Sequence, residues 1–504
     1  MRWLIQGLGH LLAPAARRFH HALAHPQVAQ QRVQREIGDR LMRSEYGRSL
    51  GIQTLADWDR VPIVTYDDIQ DWIASTTFSQ RKPPSKEGLT PDPILFYEKT
   101  SGSRGAAKSI PYTRSLRRSF NQMFCVWAHD LIRNGPSLTT GKTYFCISPP
   151  IGTEHHSADD SDYLDPWLRL LMRPFWVQPD GVHRIHEVDE FKEKLCLTWL
   201  REERLEIISI WSPSFLSVHL DYIHAHRLRL REMLRDQLSS ERYELLGNSQ
   251  IPWHRLWAQL KLISCWDSVA AADQANQLRS RFPGVLIQGK GLLATEAPMT
   301  IPLIAAQGCV PVLDEVFFEF EDDRGSFCLL HELDVGSSYE VIVSQKGGLY
   351  RYRVGDRVRV THIYKQTPCL EFLGRTQSTS DLVGEKLSDA FVRDALSQIG
   401  LASSSFKCLI PATVPSPHYI LLLDHACNTP EAIAHRLDQV LCRAYHYGYA
   451  RQLRQLAPVR VMVSPHIPDI LTQHQLQTGK RWGDLKHPVL MTQIAPPDCL
   501  SALE

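Results

Sequence analysis

Between Ile94 and about residue 300, short apolar runs alternate with longer helical patterns, and that alternation constrains the fold more than any other feature of the chain. The runs include ILFY at 94–97, KTYFCISPP at 142–150, LEIISIWSP at 205–213 and GVLIQGKGLL at 284–293. Short apolar runs separated by helix-period segments predict a layered α/β domain. Near Pro311 the style changes. VFFEFED (316–322), SYEVIVSQKGGLYRYRVGDRVRVTHIY (338–364) and LEFLGRT (370–376) are β-rich with glycine turns between them, which predicts a small antiparallel subdomain or barrel. After Gly374 and Arg375 the chain returns to mixed α/β, with SDAFVRDALSQIG as a helix, HYILLLDH as a strand, EAIAHRLDQVLCRAYHYGYARQL as one long helix and VRVMVSP as a strand. A compact C-terminal domain of about 130 residues follows from this. Residues 1 to about 75 read as helical, with Val28, Val33, Ile37, Leu41 and Met42 near one face.

With 504 residues, 43% hydrophobic and 22% charged, the chain has room for two or three domains and a large core. A formal net charge of +1 gives no bulk electrostatic case for nucleic acid or an anionic membrane as partner. Eleven cysteines without a C-x-x-C pair fit a reducing compartment, so the cytoplasm is the expected location. The N-terminal MRWLIQGLGHLLAPAARRF is an amphipathic helix by this reading, because Gln6 and His10 interrupt an already short apolar stretch. No uninterrupted run of about 18 apolar residues proposes a membrane span.

Several segments carry chemistry. TSGSRGAAKSIP, Thr100 to Pro111, is close to a phosphate loop of the G-x-x-x-x-G-K-[ST] kind, with Gly102, Lys108 and Ser109 in register and Ala107 at the second glycine. A P-loop lysine opens a helix, however, and Pro111 removes an N–H and disfavours helical backbone at Ile110. The expected local structure is strand, loop, strand. Such a loop can still hold phosphate through backbone N–H groups, the hydroxyls of Thr100, Ser101 and Ser103, and the charge of Lys108; a mobile Ser/Gly surface loop is the plain alternative.

GKGLLATEA, Gly289 to Ala297, follows an apolar run and ends in a hydroxyl beside a carboxylate. Thr295 can donate to a phosphate oxygen and Glu296 can hold Mg²⁺ beside it, since Mg²⁺ takes one or two carboxylates plus phosphate oxygens. GGLYRYRVGDRVRV, Gly347 to Val360, places Asp356 after a glycine, where it can accept both ribose hydroxyls while Tyr350 or Tyr352 stacks on a purine. GRTQSTSDLVGEK offers Arg375 and Lys386 at a junction, and TGKRWGDLKHP offers Lys480 and Lys486 on a late loop. TEHHSADDSD at 153–162 reads as a polar loop rather than a metal cluster.

Taken in order, these segments resemble the series in adenylate-forming enzymes of the acyl-CoA synthetase and luciferase superfamily. More closely, GLYRYRVGD, VGEK, QGKGLLATEA and the early EYGRSLGI…WDRVPIVTYDDI look like the Gretchen Hagen family, the auxin-responsive acyl-acid amido synthetases and their bacterial relatives, over nearly the whole chain. The resemblance implies a large N-terminal α/β adenylate-forming domain with a β-rich subdomain (1–373), a hinge (374–386) and a small mobile C-terminal α+β domain (387–504). It implies ATP and Mg²⁺, a small carboxylic acid, and an amine, typically of an amino acid, as reactants.

Carried over by motif, Thr100, Ser101, Gly102, Ser103 and Lys108 bind phosphates, Thr295 and Glu296 serve the α-phosphate and the metal, Asp356 holds ribose, and Arg375 lies at the junction. Lys386 and Lys486 match the lysines that approach the nucleotide from the mobile domain, with Lys480 as the alternative to Lys486. Arg104 inside the loop and the missing tyrosine before Thr295-Glu296 depart from the family pattern. Two other readings stay open: an acid–thiol ligase working through the same acyl-adenylate, and a non-catalytic nucleotide-binding relative.

Overall fold

The computed structural model describes residues 2–75, 88–99, 108–145, 165–181, 185, 188–375, 379–380, 382–383, 385, 387–401, 406–425, 429–452, 456–477 and 488–492. The chain forms two compact units, one of Met1–Trp266 with Leu278–Leu373, the other of Asp267–Gln277 with Gly374–Glu504.

The first unit begins with helices α1 (Arg2–Ala24), α2 (Pro26–Arg43), α3 (Glu45–Ser49) and α4 (Tyr66–Ser75). In α2 the inward face is Ala29, Val33, Ile37 and Leu41, each four residues from the last, so Val28 falls off it and is 65% exposed. Gln30 is buried on the same helix and fully used. Its Nε2 donates to Leu313 O (2.8 Å) and Val316 O (2.7 Å), while its Oε1 accepts from Phe318 N (2.8 Å). A buried amide satisfied in this way fixes where α2 meets the sheet that follows.

Strands β1 (Ile94–Lys99) and β2 (Ser109–Thr113) pair antiparallel, with Pro111 opposite Tyr97. Helix α5 (Arg114–Asn134) starts only after β2, capped by Thr113, whose Oγ1 accepts from Leu116 N. The two expected strands are therefore present, and residues 100–107 between them lie outside the described residues.

Next come β3 (Lys142–Phe145), β4 (Leu205–Ser209), β5 (Leu262–Cys265) and β6 (Leu286–Gly289), a parallel four-stranded sheet in the order β3-β4-β5-β6. Both β4 and β5 are buried along their whole length, as parallel strands covered on both faces should be. Glu206 is the one charged residue within β4. Its carboxylate accepts from the N–H groups of Thr139, Thr140 and Gly141 and from Lys261, and although burial alone pushes a carboxyl up, these bonds hold it below the usual range.

Strands β7 (Thr300–Leu303) and β8 (Gly308–Pro311) form a hairpin, followed by β9 (Val316–Glu321), β10 (Phe327–Leu329), β11 (Ser338–Gln345), β12 (Tyr352–Tyr364) and β13 (Thr367–Arg375) in a sheet ordered β10-β9-β11-β12-β13. This is the expected β-rich subdomain. One core joins Val33, Ile37 and Leu41 of α2 with Val316, Phe318, Val341 and Val343 of the sheet.

In the second unit, β14 (Thr379–Ser380) pairs with β15 (Leu387–Ser388), and β16 (Lys407–Ala412), β17 (His418–Leu423) and β18 (Arg460–Val463) form a three-stranded sheet packed by the helices Asp389–Gln398 and Pro430–Leu441. The long helix expected over 431–453 is two, Pro430–Leu441 and Tyr445–Gln452. Asp438 explains the break: Tyr447 Oη donates to it at 2.7 Å and Arg451 Nη2 at 2.9 Å. In one continuous helix, residues 13 apart are separated by about 20 Å along the axis, so this bond set requires the chain to fold back. Among the described residues, no helix is long and apolar enough to cross a membrane.

Candidate functional site

Lys108 stands one residue before β2. Its Nζ lies 5.5 Å from the centre of the Tyr66 ring and 3.5 Å from Tyr352 Oη, a long hydrogen bond across 244 residues of sequence. Ser109 N donates to Tyr66 Oη at 3.0 Å, so the start of α4 anchors the end of the loop. Farther along β2, Tyr112 Oη donates to Thr295 O at 2.8 Å. Lys108, the Thr-Glu pair and the YRYRVGD segment, far apart in sequence, thus meet around β2.

Thr295 and Glu296 form the tip of a tight turn closed by Ala297 N donating to Ala294 O at 3.2 Å. Gly291 enters it with φ +66°, and a Cβ there would collide with Thr300 Oγ1, which accepts from Leu292 N at 2.8 Å. Glu296 is 6% exposed.

Asp356, 3% exposed, sits in a bulge of β12. Arg353 pairs with Ile342 and Arg357 with Glu340, so residues 354–356 stand opposite Val341 alone. Gly355 supplies the φ of +81° that this needs. The flanking arginines are structural. Arg353 Nη1 bridges Glu321 and Glu340, both at 2.5 Å. Arg351, at φ +45°, forks onto Glu319 (Nε–Oε2 3.1 Å, Nη2–Oε1 2.9 Å) and donates from Nη1 to Val61 O at 2.9 Å. The same stretch adds a short parallel bridge, Val64 N to Arg351 O (3.1 Å) and Arg353 N to Val64 O (2.8 Å). The early WDRVPIVTYDDI segment is therefore joined directly to YRYRVGD.

The two tyrosines differ from expectation. Tyr350 is 2% exposed, stacked on Tyr46 at 6.3 Å and 10°, and its burial pushes the phenol up. Tyr352 is 1% exposed. Both rings belong to the hydrophobic core, so neither presents a face for a purine; Tyr352 contributes its hydroxyl, to Lys108.

Thr100, Ser101, Gly102, Ser103, Lys386, Lys480, Lys486 and the 153–162 segment lie outside the described residues. Arg375 is the last residue of β13. Beside Lys386, Glu385 is buried and accepts from Leu382 N and Val383 N, each at 2.8 Å, and from the Tyr419 hydroxyl, which fixes this stretch of the second unit.

Sequence reasoning passed over Tyr66 and Tyr112, whose roles are visible only once β2 is placed. It also passed over Trp211, Trp266 and Lys290, which follow the carboxyl ends of β4, β5 and β6. The available signal was position, since ligands of parallel α/β sheets bind beyond the carboxyl ends of strands.

Family models match most of the chain: the GH3 family N-terminal domain over residues 15–287, the GH3 family central domain over 309–375 and the GH3 family C-terminal domain over 387–494. Indole-3-acetic acid-amido synthetase GH3.2 of Arabidopsis thaliana is 34% identical over 441 residues, which cover 74% of this chain and 78% of that protein. Indole-3-acetic acid-amido synthetase GH3.4 of the same plant is 24% identical over 431 residues, covering 74% and 71%. Among solved structures, the AtGH3.15 acyl acid amido synthetase in complex with 2,4-DB superposes with a TM-score of 0.81 at 18% identity, covering 98% of this chain and 95% of that one. A 2-hydroxyisobutyryl-CoA ligase in the postadenylation state, in complex with 2-HIB-AMP, gives a TM-score of 0.51 at 12% identity, covering 87% and 85%. These structural likenesses show the fold.

Proposed function

The chain belongs to the GH3 family, and from that premise we propose that it is an ATP-dependent, AMP-forming acyl-acid amido synthetase. The observation that carries the reading is the meeting of three motif segments around β2, through Lys108 with Tyr352 and Tyr112 with Thr295. An oxygen of the acid's carboxylate attacks the α-phosphorus of ATP, the bond to pyrophosphate breaks, and acyl-AMP forms. The nitrogen of an amine, of an amino acid by preference, then attacks the acyl carbon; AMP leaves and the amine gives up a proton.

Carboxylate and triphosphate repel each other, so a site for this step needs fixed positive charge and oriented donors. Lys108, held by Tyr352 and Tyr66, supplies charge at the mouth of the loop whose Thr100, Ser101, Gly102 and Ser103 grip phosphate. Thr295 donates to the α-phosphate. Glu296, a buried carboxylate beside that hydroxyl, fits Mg²⁺, an ion that takes one or two carboxylates and completes its shell with phosphate oxygens and water. When bound, the ion offsets charge on the phosphates. Asp356 accepts the ribose hydroxyls. Residues 374–386 act as the hinge and carry Arg375 and Lys386 toward the nucleotide, and Lys486, with Lys480 as its alternative, comes from the C-terminal domain. The unpatterned thiols suit a cytoplasmic enzyme.

The fold shared with a CoA ligase keeps the thiol acceptor as the second reading. Mass analysis of reactions given acid and ATP, then either an amino acid mixture or CoA, separates the two. The expected product is an amide. A thioester with no amide would replace the amido synthetase reading.

A further inference from the structure

Helix α6 (Pro166–Met172) and the chain that follows it border a cleft of about 670 Å³, made by none of the motif segments. Its size is that of small-molecule sites, about 300–1,000 Å³. Arg169, Leu170 and Arg173 line one wall, and Trp176, Gln178 and Asp180 line the other.

Both walls are fixed by their backing. Asp165 ties the start of α6 to α5, its N–H donating to Asn121 Oδ1 at 2.8 Å and its carboxylate pairing with Arg117 Nε at 3.1 Å. Leu168, Leu171 and Met172 pack into one cluster with Ile5, Leu8 and Leu12 of α1, which turns Arg169, Leu170 and Arg173 the other way. After a 3₁₀ turn (Arg173–Phe175), Trp176 bridges Thr143 beside β3, the edge strand of the parallel sheet, and Val177 N donates to Thr143 O at 2.9 Å.

Three traits of the lining indicate what it holds. Arg173 is exposed and forms no ion pair among the described residues, and Lys142 Nζ, which donates to Pro174 O at 3.3 Å, brings a second cation to the same turn. The indole Nε1 of Trp176 is buried and has no acceptor, although a buried donor is ordinarily satisfied. The rim is apolar: Leu170 is 70% exposed and its neighbour Trp167 49%.

We propose that this cleft binds an amphipathic organic anion, its oxyanion head on Arg173 and Trp176 Nε1 and its apolar chain along Leu170 and Pro179. A guanidinium fork and an indole N–H match the oxygens of a carboxylate or a phosphate monoester, whereas a cationic head would meet Arg173 and Lys142. Asp180, the one carboxylate among the described lining residues, then opposes the ligand and tempers its affinity. The site stands whether or not the chain is a ligase.

The probes are decanoate and decyl phosphate, which share a chain and differ in the head, with decanol and decyltrimethylammonium as neutral and cationic counterparts. Calorimetry on the full chain without ATP gives the affinities. Magnetic resonance of isotope-labelled indole N–H groups gives the place, the Trp176 signal being the one that Trp176→Phe removes. One of the anions should bind and shift that signal, with decanol weaker by about tenfold or more. Arg173→Gln and Trp176→Phe should each raise the Kd about tenfold, the effect of losing a hydrogen bond to a charged group, and Asp180→Asn should lower it. Tighter decanoate would identify carboxylates as the ligand class, and tighter decyl phosphate would identify phosphate monoesters. Thermal unfolding of the variants checks that they are folded. Anion binding that leaves the Trp176 signal in place and ignores Arg173→Gln belongs to another pocket and overturns the proposal. Equal affinity for decanol, tighter binding of decyltrimethylammonium, or weaker anion binding in Asp180→Asn would overturn it as well. Capture by phosphatidylglycerol vesicles without binding of the monomeric probes would make the rim a membrane face instead.

Discussion

Arg351→Ala is expected to lower the free energy of unfolding by about 3–5 kcal/mol, the cost of stripping one partner from a buried ion pair. The substitution removes both arms of the fork onto Glu319 and the bond to Val61 O, while the backbone must still hold φ +45° at that position. It leaves Glu319 buried without its counter-charge. Burial already raises the Glu319 carboxyl above its ordinary value even with Arg351 beside it, and loss of the guanidinium raises it further.

The sign of the pH effect follows. A carboxyl with a raised folded-state pKa binds more protons in the native than in the unfolded chain between the two values, so stability falls as pH rises through that window. Urea denaturation should therefore show a larger deficit for Arg351→Ala at pH 8 than at pH 5. Arg351→Lys should restore charge without the two-pronged geometry and recover only part of the loss. Equal stability of wild type and Arg351→Ala at both pH values would mean that the fork contributes nothing to the fold.

The second large effect is catalytic. Asp356→Ala should reduce ATP–pyrophosphate exchange at least about a hundredfold, since each hydrogen bond to an ionised carboxylate is worth about 1.5–3 kcal/mol and two ribose hydroxyls are expected there. Asp356→Asn keeps the shape and turns one acceptor into a donor, so it should fall between. Because Asp356 is nearly buried and sits in a bulge set by Gly355, thermal unfolding of both variants must be measured alongside. Exchange that survives in a folded Asp356→Asn and Asp356→Ala would remove this residue from the site.

Much of this was legible in the chain because it depends on local rules. Pro111 forbade a phosphate-loop helix, and the structure has a strand there. The change of pattern near Pro311 marked the antiparallel sheet, and Val33, Ile37 and Leu41 marked the inward face of α2. Tertiary interactions hid the rest. The helix break at 442–444 answers to Asp438 binding Tyr447 and Arg451, which helical periodicity does not register. Tyr350 and Tyr352 look like ligand platforms beside a glycine turn, but Tyr46 of α3 stacks on Tyr350, and Tyr352 is buried in the core with its hydroxyl toward Lys108. Arg351 and Arg353, on either side of Tyr352, anchor this stretch to β9 and β11, which no local pattern marks.

The central claim is that this chain activates a carboxylic acid as its adenylate. Its most direct test is ATP–pyrophosphate exchange across a panel of carboxylic acids, with Mg²⁺ present and neither amine nor thiol added. Exchange that depends on one or a few acids is the predicted result and names the first substrate. A chain that binds ATP and Mg²⁺ yet exchanges no pyrophosphate with any acid in a broad panel would contradict the claim and leave a nucleotide-binding relative without the ligase chemistry.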